Sequence, residues 1–593
     1  MIRRVFPLSL ILAAACGGGG DHTGPSTPPS DISSMAVGDV RVLNPPDIPN
    51  GIDLPAGSGA RDYVIVVGNT NTLHDVVANF VVKADRSATG VFGVETAANA
   101  AAPAYSIQPG QQSLARNPQQ SLDSKVRTFE RAGLTLKSRD GFLGGSRFSL
   151  RRSAQVSAAS VPAVGDVINV KVPDGNSDNL CDNFFQTQAR VASVSRRAIL
   201  AVDTLDGLPS TLFTPQVMDS ITKEFDDITY PTDSSYYHNP TDVNGDGHII
   251  LLFSGRVNQL TPPNTPGGFV GGFFFAGDFF PPIDQGGGPG SFCLQSNQEE
   301  IFYLLSPDPT GRFGNVRTAS SVRQGTRGTI AHEFQHMINA GNRFINPQVN
   351  SFESTWLDEA LAHFAEDAVG RVVRGFGDLE TLTFATLLPC NTPCSQANDF
   401  NAFFFQNLAR LTYWMDEPDK YSPFSKQADT SLAVRGAAWS IVRYAADNYS
   451  NANPRALTRV LATGPDTGVK NFAAATKTPI DTLVKSWLVT NYSDHLNIAG
   501  LDAKYQYRSY NMRSVMPPVA KSVLQTQTQT YPLRIQPIGT GSDNISSQNL
   551  SGTGTYYRLT VPSGAGAKNV KILDSQGNAA AFPGEHVYVL RVQ

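Results

Sequence analysis

Apolar positions along this chain begin in strand-like runs, turn to helical spacing near the middle and return to short strands at the end. Tyr63-Val64-Ile65-Val66-Val67 and the stretch Val76 to Val82 read as strands of a small β-rich unit. Val167-Ile168-Asn169-Val170-Lys171-Val172 and Ala198 to Val202 open a second set of strands. Ile249 to Phe253 is continuously apolar, as a buried strand is, and Gln298 to Leu305 reads as a further strand. The period then changes. Ile330, Phe334, Met337 and Ile338 recur at i, i+4, i+7 and i+8, with Thr326 as the predicted N-cap and Gly341 as the predicted stop. Leu357, Leu361, Phe364 and Ala365 mark the apolar side of a second helix. Further helices are expected after Ala437, around Val469 and over Thr482 to Thr490, whereas Gln525 to Gln593 breaks into short strands that suit a β-sandwich.

This pattern predicts a multidomain α+β protein. The expected division is a signal peptide over 1–15, a lipidated tether or linker over 16–45 and an N-terminal β domain over 46–105. A linker or pro-segment follows over 106–160, then a large mixed unit over 161–515 and a C-terminal β-sandwich-like domain over 520–593. From about Ala101 to Ser160 periodicity is lost, and scattered basic residues include Arg151-Arg152. Pro266 to Ser291, rich in Gly and Phe, reads as a cover over a cleft or as an irregular self-packed loop.

Composition narrows the class. With 593 residues, 40% of them hydrophobic, the chain can bury more than one core. A net charge of −4 gives no electrostatic footprint for nucleic acid. Charged residues are 17% of the total, against a usual ~25%, so uncharged polar residues cover the surface, as in exported proteins. Arg3 and Arg4 precede the apolar run Val5 to Leu12 and then Ala13-Ala14-Ala15-Cys16, the layout of an export signal. Cys16 after small residues resembles a bacterial lipobox, which implies lipidation of Cys16 and a cell-envelope location through that membrane anchor. Cleavage after Ala15 would instead release a secreted, extracellular protein. The other four cysteines suggest two disulfides: Cys390 with Cys394 across a short loop, leaving Cys181 with Cys293.

The chemistry is concentrated in His332-Glu333-Phe334-Gln335-His336. On a helix, two His four residues apart stand one above the other and can grip one Zn²⁺, while the intervening Glu addresses the metal-bound water. A catalytic zinc takes three protein ligands and keeps one position open. Glu359, His363 and Glu366 share a face of the second helix at i, i+4 and i+7, so Glu359 is the expected third ligand. Glu366 is the expected partner of a zinc-bound His, and Glu333 the general base.

His-Glu-x-x-His followed by Trp356-Leu357-Asp358-Glu359-Ala360-Leu361-Ala362 resembles the gluzincin metallopeptidases, most of all the hyicolysin-type neutral enzymes. The likeness runs from about Val161 to about Ser493. It implies a mixed sheet with active-site helices, a zinc ion held by His332, His336 and Glu359, and peptide or protein substrates. In the larger aminopeptidase branch the second motif reads Trp-Leu-Asn-Glu-Gly; Asp358 and Ala360 depart from it. That branch also has an oxyanion-binding Tyr, absent from Leu432-Ala433-Val434-Arg435-Gly436-Ala437; Arg435, Tyr444 and His363 are the substitutes considered. In the gluzincin arrangement an edge strand lines the cleft, and Gln298 to Leu305 is the expected one.

A second motif, Asp242-Val243-Asn244-Gly245-Asp246-Gly247-His248, matches the opening of a calcium loop, with Asp242, Asn244 and Asp246 as side-chain ligands and the His248 carbonyl as a fourth. Phe253 stands where an EF-hand carries its bidentate Glu, so the competing reading is a tight turn without Ca²⁺; Asp226 and Asp227 could add oxygens if the fold brings them near. Together these features point to an exported zinc endopeptidase. The alternatives are an inactive surface-binding lipoprotein and a zinc exopeptidase.

Overall fold

The computed structural model describes residues 32, 34–73, 76–84, 118–133 and 160–593, the last span apart from 208–212, 266–267, 284–291, 346–348, 350, 391–393, 426–430, 525–530, 539–543, 565–566 and 583. Cys16, the stretch Gly17 to Ser30 and Arg151-Arg152 lie outside the described residues. The fold is mixed α+β with β-rich N- and C-terminal parts.

Those two parts are not separate modules. Their strands interleave in two shared sheets. In one, the order is Val40–Leu43, Glu585–Arg591, Arg61–Asn69, Thr553–Val561, Ile535–Pro537; in the other it is Asn544–Leu550, Val77–Ala84, Lys568–Leu573, Ile52–Leu54. Both neighbours of Arg61–Asn69 come from the C-terminal end of the chain. An N-terminal domain and a C-terminal sandwich were expected apart because strand periodicity shows which residues pair with a sheet, not which distant strand supplies the hydrogen bonds. Alternation does the rest: Tyr63, Ile65 and Val67 fill the sandwich core, while Val64 and Val66 face the helical body. The sandwich is thus docked on the remainder of the molecule, with the Tyr556 hydroxyl donating to the Leu488 carbonyl at 2.8 Å.

A six-stranded sheet underlies the site, in the order Val167–Pro173, Phe184–Val194, Ala198–Asp203, Ile249–Ser254, Ile301–Leu305, Gly272–Phe274. Ala198–Asp203, Ile249–Ser254 and Ile301–Leu305 run parallel, and the other pairings are antiparallel. Every residue of Ile249–Ser254 is buried, as its unbroken apolar run requires. Ile301–Leu305 is an interior strand, so Gln298 to Leu305 does not line the cleft as expected. The edge is Gly272–Phe274, out of the Gly- and Phe-rich stretch expected to be a cover or loop. Its aromatic residues are buried, with Phe273 stacked on Tyr303 at 4.9 Å, and this packing overrides the poor strand propensity of Gly.

The motif helices are long. Ala319–Ile345 passes through both expected boundaries: Thr326 is interior, its hydroxyl donating to the Val322 carbonyl, and Gly341 is interior too. A Cβ at Gly341 would come within 2.6 Å of Thr241 Cγ2, so this glycine serves close packing, not termination. Thr355–Arg374 follows, buried on all sides over most of its length and ended by Gly375 at φ +70°. Leu432–Asn448 crosses it and packs on Phe405–Asp416 at Gly436, where a Cβ would lie 2.2 Å from the Arg410 carbonyl carbon. Disulfides join Cys181 to Cys293 and Cys390 to Cys394.

Gly436→Ala is expected to force these two helices apart and lower stability by about 1–3 kcal/mol, the usual cost of overpacking a filled interface. Thermal unfolding followed by circular dichroism measures it; an unchanged midpoint would refute the close helix contact.

Candidate metal centre

Helical spacing brings His332 and His336 to one face of Ala319–Ile345, and the crossing helix Thr355–Arg374 delivers Glu359 to the same point. The two Nε2 atoms lie 3.1 Å apart, and Glu359 Oε2 is 3.6 Å from His332 Nε2. Each imidazole is oriented from behind. His332 Nδ1 contacts Glu366 Oε1 at 2.7 Å, and His336 Nδ1 contacts Asp358 Oδ2 at 2.9 Å. A ring nitrogen facing a carboxylate carries a proton, so with both rings neutral the two Nε2 lone pairs are turned on each other. Neutral rings would repel in that arrangement. A tetrahedral zinc with bonds of about 2.0–2.1 Å separates its ligand atoms by about 3.3 Å, so the three donors suit such an ion.

Among the described residues a second group, His332, His363 and Glu366, also lies within ligand range. It uses His332 through its other nitrogen. Glu366 Oε1 is shared between His332 Nδ1 and His363 Nδ1, the latter at 3.0 Å, so this group buttresses the first rather than rivalling it.

Electrostatics follow burial. Burial alone would hold His332 neutral, but hydrogen bonds to Glu359 and Glu366 outweigh it and carry the ring up to about 10. Burial, then the positive field of Arg127, pushes His336 down. Glu359 is held well below the carboxylate range: burial opposes its charge, and Arg435 chiefly offsets that. Glu366 is lowered too, against burial, by His363 and His332. Glu333 goes the other way. Burial pushes it up to about 8, although the Phe274 amide donates to its Oε2 at 2.9 Å. Thus burial disfavours charge on the glutamate flanked by the two His, and its carboxylate is tied to the sheet edge.

The residues considered for an oxyanion partner separate. Arg435 contacts Glu359 Oε2 at 3.1 Å and Asp123 Oδ2 at 2.8 Å, so its charge is already committed to carboxylates. Tyr444 is fully buried, and its hydroxyl donates to the Lys504 carbonyl. His363 stays beside the site, its ring 4.7 Å from that of His332, but burial followed by Arg410 pushes it down to about 3, so it is neutral. Arg410, 3.1 Å from His363 Nδ1, was not anticipated. Neither were Asp123 and Arg127, which come from Pro118–Gly133, a half-buried helix inside the span read as lacking periodicity. Leu122, Val126 and Phe129 at i, i+4 and i+7 were the available sequence mark of that helix.

The Asp242–His248 loop bonds to itself. Asp242 Oδ1 accepts from the Gly247 amide, Asn244 Oδ1 from the Asp246 amide, and Asp246 Oδ1 from the His248 amide. His248 points its ring nitrogens at the carbonyls of Asp246 and Ser195. Asp226 accepts from the amides of Arg196 and Arg197, and Asp227 pairs with Lys223, so neither adds an oxygen here. The loop's nearest acidic partners are Glu299, bonded by Asn244, and Glu300, bonded by the Val243 amide.

No family model matches the chain. Over 147 residues it is 29% identical to the neutral metalloprotease ShpI of Staphylococcus hyicus, a match covering 25% of this chain and 30% of that protein. The chain therefore aligns with less than a third of its relative, and the similarity is distant and to a metalloprotease.

Glu366→Ala is expected to weaken zinc binding by roughly 10–100-fold, the usual effect of removing a ligand's orienting carboxylate, as read by competition with a chromophoric chelator. A second expectation concerns the loop. Burial raises Glu300 from 4.5 to about 8, so the folded state holds a proton that the unfolded chain releases between those values. Its contribution to stability falls as pH rises through that window. Glu300→Gln should raise the melting temperature of metal-free protein at pH 8 and leave it nearly unchanged at pH 5; equal effects at both would refute the assignment.

Proposed function

We propose that the chain is a zinc-dependent endopeptidase of gluzincin type, with His332, His336 and Glu359 as ligands and Glu333 as general base. The single observation that carries this reading is the meeting of His332 Nε2, His336 Nε2 and Glu359 beside a buried Glu333. The distant similarity to a metalloprotease agrees with it. A bound zinc ion supplies Lewis acidity, lowering the pKa of its water toward ~7 and polarising a carbonyl.

The protein's residues do the remaining work. Glu333 takes the proton of the attacking water and passes it to the departing amine. Glu366 and Asp358 keep the ligand imidazoles in one tautomer and one orientation. The edge strand Gly272–Phe274 aligns an extended substrate by backbone pairing and, through the Phe274 amide, registers it against Glu333. A strand edge of this kind recognises the middle of a peptide, which favours cleavage of internal bonds over trimming of ends.

The two disulfides, with the leader-like N-terminus, support export into an oxidising compartment, anchored to the envelope through Cys16. The substrate class is accordingly peptides or proteins outside the cytoplasm.

Hydrolysis of an internally quenched peptide with both ends blocked should occur, stop on chelation and return with Zn²⁺. Glu333→Gln should cut kcat by at least about a hundredfold while zinc content stays at that of the parent protein. Cleavage confined to free-ended peptides would replace the endopeptidase reading with an exopeptidase one. Undiminished turnover by Glu333→Gln would remove the assigned base.

A further inference from the structure

We propose that the helix Pro118–Gly133 is an intramolecular inhibitor seated in the substrate cleft, and that its displacement opens the site. This rests on the peptidase reading above and concerns its regulation. Four side chains at i, i+4, i+8 and i+11, namely Gln119, Asp123, Arg127 and Glu130, form one stripe of the helix turned toward the centre.

Gln119 occupies the strand edge. Its Oε1 accepts from the Gly271 amide at 2.9 Å, and its Nε2 donates to the Gly272 carbonyl at 3.0 Å. A carboxamide presents the same donor and acceptor as a peptide group, so these bonds take the place that an extended substrate's backbone would need. The strand so capped is the one whose Phe274 amide holds Glu333. One turn on, Asp123 pairs with Arg435, which itself contacts Glu359. A further turn on, the Arg127 guanidinium lies 3.2 Å from Asp358 and 3.6 Å from Glu359, and pairs with Glu130 at 2.6 Å.

The helix therefore makes two claims on the site, linked by the Gln119 Nε2 bond to Asp123 Oδ1 at 2.8 Å. It satisfies the edge that substrate would pair with, and it places a fixed cation against a carboxylate that a metal ion would use. Phe129 anchors it from the side, its ring 4.7 Å from Phe275 and 6.2 Å from Phe280, and Leu122 and Val126 join the main core. A contact set that pairs a peptide-like group with the strand and an opposite charge with the ligand shell is that of an occupant of the cleft. The alternative, a permanent wall of the active enzyme, predicts the opposite response to its removal.

The test compares the full chain with Gln119→Ala and with Gln119→Ala/Arg127→Ala. Two rates are read: hydrolysis of the blocked quenched peptide, and uptake of Zn²⁺ by metal-stripped protein from a chromophoric chelator. Release of the plug should raise hydrolysis by the double variant about tenfold or more and speed zinc uptake, with a smaller rise in hydrolysis for Gln119→Ala alone. A synthetic peptide of residues 118–133 added in trans should reverse both gains, and the same peptide carrying both substitutions should not. Folded variants with hydrolysis equal to or below that of the parent, and unchanged zinc uptake, would overturn the proposal while leaving the peptidase reading intact. Faster zinc uptake, reversed by the peptide, with no form of the protein hydrolysing any peptide, would support the plug and refute the peptidase reading. If the double variant does not fold, Gln119→Ala decides by the same measures, since it keeps the Arg127 and Arg435 ion pairs and removes, besides the two strand-edge bonds, only the Nε2 bond to Asp123 Oδ1 at 2.8 Å.

Discussion

Two imidazole nitrogens turned on each other at 3.1 Å are the constraint on which the rest of this structure depends. Their orientation is imposed from outside: Glu366 and Asp358 each take the far nitrogen of one ring. A pair so held is unfavourable as neutral rings and favourable around a cation. Around it the protein buries Glu333, Asp358, Glu359 and Glu366, balanced by Arg127, Arg410 and Arg435. Burying so many charges costs more than it returns unless geometry is tight, so the arrangement is better understood as preparation for chemistry than as a source of stability.

The departure at Asp358 acquires a physical meaning in this frame. A carboxylate at that position can orient His336 and also accept from Asn339 Nδ2 at 2.5 Å, linking the two motif helices through one side chain. Farther along the same helix, Asp367 binds Arg371 and Arg443 and accepts from the Tyr510 hydroxyl, so one end of Thr355–Arg374 serves the site and the other locks it to the core. The position of Glu359 is thereby transmitted from rigid packing rather than from a loop.

Arg435 illustrates how the same residue changes role once its neighbours are known. Its place near the site was legible from chain position, but its partners Glu359 and Asp123 make it a charge-balancing group rather than a free donor to an oxyanion. The helix that supplies Asp123 and Arg127 lies some two hundred residues before the zinc motif. No local pattern states that it returns to cover the site.

What the sequence determined by itself was local and periodic. The 3.6-residue repeat placed His332 and His336 on one face and Glu359 with Glu366 on another, and continuous apolar runs marked the buried strands, because neighbours within a helix or strand are set by backbone geometry alone. Tertiary structure decided everything that depends on distant partners. It chose Gly272–Phe274 over Ile301–Leu305 as the sheet edge, and it interleaved the first and last strands of the chain in one sandwich. It carried helix Pro118–Gly133 across the cleft and kept Thr326 and Gly341 inside a longer helix. Hydrogen bonds between strands and charge pairs between helices are made in space at large sequence separation, and a one-dimensional pattern holds no record of which of its many compatible partners is met.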